Sequence, residues 1–321
     1  MILIISNERD ITSDYIVLEL QRRKVPYFRL NTERLTAYSV RCEWQSGKLV
    51  WELISSDRSF KTSHISAGYF RRPGTPELNR GINTPSQRRY CDDEWAAVLR
   101  SIYISLDDRW LNAPSSIARA EDKALQLALA SDVGLRVPNT AITNSFSSAV
   151  QLIKDGPTVA KSFYTGFLDD DTGEVSHVMF TARLNEQTMP TSESLKLCPV
   201  VFQQEIIKAY DVRVTVVGSK VFAVAIDSQV KLETSVDWRH GSDPDLAHYQ
   251  HKLPGDVEEK CILIVQRLGL RFAAIDLILD KRGDYWFLES NPNGQWAWIE
   301  NRTGVPISST IVDELLSVQS W

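Results

Sequence analysis

An apolar stretch, RFAAIDLIL at 271–279, carries one acid, Asp276, near its middle. A second, DYWFLE at 284–289, ends on Glu289, and Asn291 follows two residues later. The 281–283 segment between them is turn length. The two stretches therefore read as antiparallel strands with Asp276 and Glu289 side by side on one face. Three oxygen-bearing side chains, without His or Cys, suit a hard cation such as Mg²⁺. Asp276 taken alone is equally well explained by an arginine or a water. Mg²⁺ held by few protein ligands commonly also holds substrate phosphates, which turns attention to cations. Lys161 lies inside the apolar run TVAKSF, and a buried lysine needs an anionic partner. Lys123 opens a helical pattern in RAEDKALQL and, by itself, reads as an exposed helix lysine. Arg213, in YDVRVTVVG, is either a phosphate-facing cation or the local partner of Asp211. VVFQQEII at 200–207 ends an apolar strand on Gln203, Gln204 and Glu205, followed by Ile206. Backbone groups there can read an adenine edge, and Glu205 can bond ribose hydroxyls.

The elements that must position these residues fall into two halves. Residues 2–6, a helix over about 14–24 and a strand at 27–30 open a parallel α/β layer. A hairpin is expected at 40–54, turning at Ser46-Gly47. A strand at 65–70 leads into Arg71-Arg72-Pro73, and a helix covers most of 85–108. Arg71 and Arg72 follow a strand, where open α/β sheets bind ligands. They are candidates for substrate or nucleotide contact, or for a domain interface. WLNAPSS at 110–116 reads as a boundary. Beyond it comes a helix at 120–132, then strands at 157–162, 175–181, 200–207, 211–217, 220–226, 271–279 and 284–289, several joined by short turns. That grammar is α+β with antiparallel sheets. Residues 228–256 form a long polar stretch, expected as a substrate loop. Within it DWR at 237–239 offers Arg239 as a second arginine for a carboxylate or developing charge. A surface role explains Arg239 equally well. Trp296 and Trp298 flank Ala297, would face one way in extended chain, and are expected to pack in the core. His248 and His251 in HYQH are helix-spaced but lack further ligands, so a zinc site is not expected.

Composition narrows the classes. The chain has 321 residues, 43% hydrophobic and 24% charged, with a net charge of −5. That is a globular protein without the basic surplus of a nucleic-acid binder. No apolar run is long enough to span a bilayer, so no membrane partner is expected. The start, MILIISNERD, reads as a first strand rather than a signal peptide. Four scattered cysteines, without a C-x-x-C pair, suit reduced thiols and a cytoplasmic location.

The order Lys123, Lys161, QQEII, DVRVTVVG, AIDLI and ESNPNG resembles the ATP-grasp superfamily over roughly residues 113–321. The resemblance implies ATP held between two lobes, 113–200 and 201–321, with the metal site in the second. It makes Lys123 and Lys161 nucleotide-binding lysines. Gln203, Glu205, Ile206 and Asp211 become further nucleotide contacts, with Glu205 on the ribose. Asp276, Glu289 and Asn291 become Mg²⁺ ligands, and Arg213 the arginine that neutralises phosphate. YFRRP at 69–73, DWR, and NPNGQWAWIE at 291–300 are together similar to the microviridin-type maturases that make graspetides. In that family residues 1–112 correspond to an α/β pre-ATP-grasp domain. Its enzymes activate Asp or Glu side chains of a precursor peptide and close ω-ester or ω-amide rings. This implies a precursor peptide as partner and a homodimer. One departure is the loop YTGFLDDDTGEVS after Lys161, with two glycines and three aspartates where relatives have a richer glycine loop. Two other readings share most of these residues: a RimK-like ligase adding a free amino acid, and a non-enzymatic nucleotide-binding module.

Overall fold

The computed structural model describes residues 1–164, 167–169, 175–185, 188–231, 234–238 and 246–318. The N-terminal layer is β1 (Ile2–Ser6), α1 (Ile11–Arg22) and β2 (Tyr27–Asn31). A hairpin of β3 (Ser39–Gln45) and β4 (Lys48–Ile54) is joined by β5 (Ser59–Lys61), and β6 (Ala67–Phe70) returns to β1. The order β2-β1-β6 is parallel, and all five residues of β1 are buried. A strand covered on both faces has to be apolar throughout, as ILIIS is. Asp10 caps α1 by accepting from the Ser13 N–H. Thr84 likewise caps α2 (Pro85–Ser105), with Pro at the first turn.

The linking segment is helical: α3 (Pro114–Ala120), then α4 (Lys123–Asp132) capped by Asp122. The single helix expected at 120–132 is thus the second of two. A four-stranded antiparallel sheet follows, built from β7 (Thr140–Thr143), β8 (Thr158–Lys161), β11 (Ala182–Leu184) and β12 (Val200–Gln204). Its order is β11-β8-β12-β7; α5 (Phe146–Asp155) backs it, and α6 (Ser192–Leu195) precedes β12. A separate hairpin pairs β9 (Phe167–Asp169) with β10 (Val175–Val178).

The second lobe is a five-stranded antiparallel sheet of order β15-β14-β13-β16-β17. Its strands are β13 (Lys208–Val217), β14 (Lys220–Ile226), β15 (His248–His251), β16 (Phe272–Asp280) and β17 (Tyr285–Asn291). Helices α7 (Gly255–Arg267), α8 (Ala297–Thr303) and α9 (Ile307–Ser317) complete it. Alternation along β13 and β16 divides their side chains between two cores. Val212, Val214, Val216, Ala273 and Ile275 pack on α7 and α4, whereas Val217 and Phe272 join Ile2, Ile4, Tyr69 and α9. The second core therefore belongs to both halves of the chain. Two local expectations change. Residues 297–303 are helical, so Trp296 is fully buried in the core while Trp298 turns half-exposed toward the cleft. His248 and His251 lie on a strand rather than a helix.

Close packing inside the N-terminal layer gives a test. A Cβ on Gly68 would lie 2.4 Å from Trp110 Cε3, and Trp110 is 3% exposed. Gly68→Ala is expected to destabilise the fold by about 1–3 kcal/mol through overpacking, read as a lower melting temperature. An unchanged melting temperature would show that Trp110 relaxes freely.

Candidate active site

Three adjacent strands line up the acids. Arg213 on β13 lies opposite Asp276 on β16, and Asp276 lies opposite Glu289 on β17. A bulge in the ladder follows Asp276, and Asn291 stands two residues beyond Glu289 on the same face. Its Nδ2 donates to Glu289 Oε1 at 3.3 Å. Arg213 Nη1 donates to both Asp276 oxygens at 2.8 Å, with the arginine side chain 7% exposed. Carboxylates directly opposite each other repel. Here that repulsion is balanced by Arg213 on one side and by Lys123, whose Nζ is 4.0 Å from Glu289 Oε2, on the other. Two carboxylates and a carboxamide form an all-oxygen donor set for a hard divalent cation. Among the described residues no group of three or more His, Cys, Asp or Glu forms a metal cluster.

The proposed local Arg213–Asp211 pair does not form. Asp211 instead accepts from Lys208 Nζ at 2.9 and 2.8 Å and from the Ser228 hydroxyl. Burial pushes the Asp211 carboxyl up, and Lys208 and Ser228 oppose that shift. Lys208 Nζ also donates to Val236 O at 3.0 Å, so the pair anchors the loop entering Asp237 and Trp238.

The other lip belongs to the first lobe. Lys161 Nζ donates to Gln203 Oε1 at 3.1 Å, and Gln203 Nε2 donates to Thr140 Oγ1 at 2.9 Å. Lys123 Nζ donates to Ser162 O at 3.1 Å, bringing the two lysines to one edge. Glu205 is held by Arg183, whose Nε donates to its two oxygens at 3.0 and 2.8 Å. A ribose contact through Glu205 has to share that carboxylate with Arg183. Between the lobes lies a pocket touched by Lys161, Ile206, Asp211, Arg213, Asp276 and Glu289. It shares Lys161, Arg213, Asp276 and Glu289 with a wider cleft reached by Lys123, Arg72 and Asn291. The Thr181 N–H donates to Asp237 Oδ2 at 3.3 Å across the cavity mouth. Trp238 packs on Trp298 with ring centroids 5.3 Å apart.

Arg71 and Arg72 part company. Arg71 is 1% exposed and bonds Asp10 and loop carbonyls, so it presents no surface to a substrate. Arg72 is exposed at the cleft, with φ 45°, a left-handed backbone uncommon for a side chain of this size. Partial burial, then neighbouring Arg71 and Arg213, lower its pKa. It remains a cation. Arg239 lies outside the described residues, as do Asp170 and Asp171 of the acidic loop. Sequence reasoning missed Lys208, Asp237 and Asn112. Lys208 was passed over because Asp211, three residues on, was weighed only against Arg213; Asp237 was hidden because its partner Thr181 is distant in sequence, and Asn112 because its segment reads as a boundary.

A family model described as the MvdD pre-ATP grasp domain matches residues 1–118, and one for the RimK-like ATP-grasp domain matches residues 120–315. Macrocyclase MdnC of Microcystis aeruginosa MRC, solved with precursor peptide MdnA, superposes with a TM-score of 0.85 at 26% identity, covering 99% of each chain. A RiPP-associated ATP-grasp ligase of Chryseobacterium gregarium, solved with ADP and a leader and core peptide, gives 0.87 at 27% identity. That match covers 98% of this chain and 96% of the other. A probable alpha-L-glutamate ligase of Histophilus somni (strain 2336) is 27% identical over 210 residues, 63% of this chain. The chain spans 65% of that relative's length.

The two acids should behave differently on substitution. Glu289→Gln is expected to remove Mg²⁺-dependent ADP formation while leaving the melting temperature near wild type. Asp276→Asn should also melt earlier, because it leaves the buried Arg213 without its carboxylate, a loss of up to about 3–5 kcal/mol for fully buried pairs. Equal melting temperatures for the two variants would contradict the Arg213–Asp276 pairing.

Proposed function

This chain belongs to the RimK-like ATP-grasp family, and on that premise we propose that it is an ADP-forming ligase acting on a ribosomally made precursor peptide. It joins Asp or Glu side chains to Ser or Thr hydroxyls or Lys amines in ω-ester or ω-amide rings. The observation that carries the reading is the row Arg213–Asp276–Glu289, completed by Asn291, facing Lys123 and Lys161 across one cleft. Likeness along nearly the whole chain to two peptide-bound ligases supports the choice of substrate.

A carboxylate is a poor electrophile, since its leaving group would be oxide. In the proposed reaction a peptide carboxylate oxygen attacks the γ-phosphorus of ATP, the bond to the β,γ-bridging oxygen breaks, and ADP leaves. Lys123 and Lys161 hold the phosphates, and Arg213 meets the charge that develops on the transferred group. Asp276, Glu289 and Asn291 would hold Mg²⁺, which supplies charge neutralisation to the phosphates when bound. Arg72, at the cleft, would hold the acceptor carboxylate in a two-pronged contact. The hydroxyl or amine then attacks the acyl carbon and phosphate departs, so each ring removes one water from the peptide. Gln203, Ile206 and Asp211 line the proposed adenine and ribose end, with Glu205 beside it. Arg239, in the DWR segment, belongs to the same proposal as a second acceptor-side cation. No general base is assigned. The domain division 1–112 and 113–321, a cytoplasmic location and a homodimer complete the reading. Among the described residues no helix is long and apolar enough to cross a membrane.

The curated relatives favour a second reading, ligation of a free amino acid such as glutamate. Mass spectrometry separates the two. A precursor peptide incubated with the chain, ATP and Mg²⁺ should lose one water mass per ring in step with ADP formation. ADP formed without that loss, but with mass gained when glutamate is supplied, would replace the macrocyclase with the amino-acid ligase.

Arg72→Ala is expected to raise the peptide KM by about tenfold or more, the scale of losing a charge-assisted contact, with a smaller change in kcat. Steady-state assays at varied peptide concentration measure it. A KM within error of wild type would remove Arg72 from the acceptor site.

A further inference from the structure

The loop beyond Asn291 is gripped at four successive carbonyls. Asn112 Nδ2 donates to Pro292 O at 3.2 Å. Arg71 Nη1 donates to Asn293 O and Gly294 O, each at 3.1 Å. Arg213 Nη2 donates to Gln295 O at 3.3 Å. The loop also closes on itself, with the Gly294 N–H on Asn291 O at 3.2 Å. Position 294 has no room for a side chain, since a Cβ would lie 2.3 Å from Ala274 Cβ.

One of these grips comes from the N-terminal layer. Arg71 follows β6, and its Nε is 3.1 Å from Asp10 Oδ2. Asp10 is itself fixed, accepting from the Ser13 N–H at 3.2 Å, from the Ser13 hydroxyl, and from the Ser6 hydroxyl at 3.2 Å. A bonded chain thus runs from the first turn of α1 to the end of β17. Burying such a pair is a weak source of stability, because well-packed apolar side chains commonly do as well. What the pair supplies is direction: a planar fork that meets a carboxylate on one edge and backbone oxygens on the other.

We propose that Arg71, balanced by Asp10, is a positioning residue for the metal-binding end of β17. It fixes the backbone at 293–294 and through it the aim of Asn291 and Glu289. This rests on the Mg²⁺ reading of those residues. It makes the N-terminal layer a working part of the phosphoryl-transfer site, in addition to any role in holding peptide.

The test uses the full chain and Mn²⁺ as probe, with binding followed by electron paramagnetic resonance in the presence of ADP. Arg71→Met is expected to weaken Mn²⁺ binding about 10–100-fold, the scale seen when second-layer partners of metal ligands are lost. ADP affinity in EDTA should stay unchanged. Arg71→Lys should fall between, since an ammonium keeps the charge but cannot span Asp10 and two carbonyls. It carries the test alone if Arg71→Met does not fold. Arg23→Met is the control: it removes an Asp313 contact and a bond to Ser309 O between α1 and α9, lowering stability without touching the loop. Wild-type Mn²⁺ affinity in the Arg71 variants, or an equal loss in Arg23→Met, would overturn the proposal. A wild-type chain that holds no Mn²⁺ with ADP would overturn the metal reading itself, and the clamp with it.

Discussion

Two carboxylates set directly across a sheet from each other are an unfavourable arrangement, and much of this molecule is arranged around Asp276 and Glu289. Their register fixes the pairing of β16 and β17. The charge is met from three directions: Arg213 from β13, Lys123 from the start of α4, and the Asn291 amide from the end of β17 itself. Arg213 and Lys123 come from stretches of chain remote from both acids, so no local motif alone could have produced the balance. The face that carries these groups is continuous with Val217 and Phe272, which pack against the N-terminal layer. The face that carries the acids and the face that packs on the N-terminal layer are one surface, polar at one end and apolar at the other.

That continuity explains why buried polar links gather near the seam. Asn112 both accepts from the Arg271 and Phe272 N–H groups and donates to Phe272 O and Pro292 O. It satisfies strand-end groups that would otherwise be stranded in the core, where unpaired polar atoms are costly. On the first-lobe lip of the cleft the same economy appears in Gln203, which accepts from Lys161 with one end and reaches Thr140 with the other.

Much of this was legible in the sequence because it is periodic or local. Alternation around Asp276 and the short turn at 281–283 gave the pairing with Glu289. The apolar run ILIIS gave a buried first strand. What escaped depends partly on contacts far apart in sequence and partly on a choice between near neighbours. Asp211 was weighed as a partner for Arg213 two residues away, yet both found others, Lys208 and Asp276. Arg71 and Arg72 are adjacent and chemically identical, and only the fold sends one into the core and the other to the cleft. Trp296 and Trp298 looked equivalent in an extended chain. The helix starting at Ala297 separates them into a core residue and a cleft wall.

The shared core also bears on how such chains exchange parts. Ile2, Ile4, Ile16, Leu20 and Tyr69 interlock with Ile307, Ile311, Val312 and Leu315 from the far end of the polypeptide. Recombination at the sequence boundary near residue 112 would bring together faces that never adapted to each other. A graft that carries the C-terminal helices along with the N-terminal layer preserves the seam. The transferable unit here is a noncontiguous pair of segments, and it includes both ends of the chain.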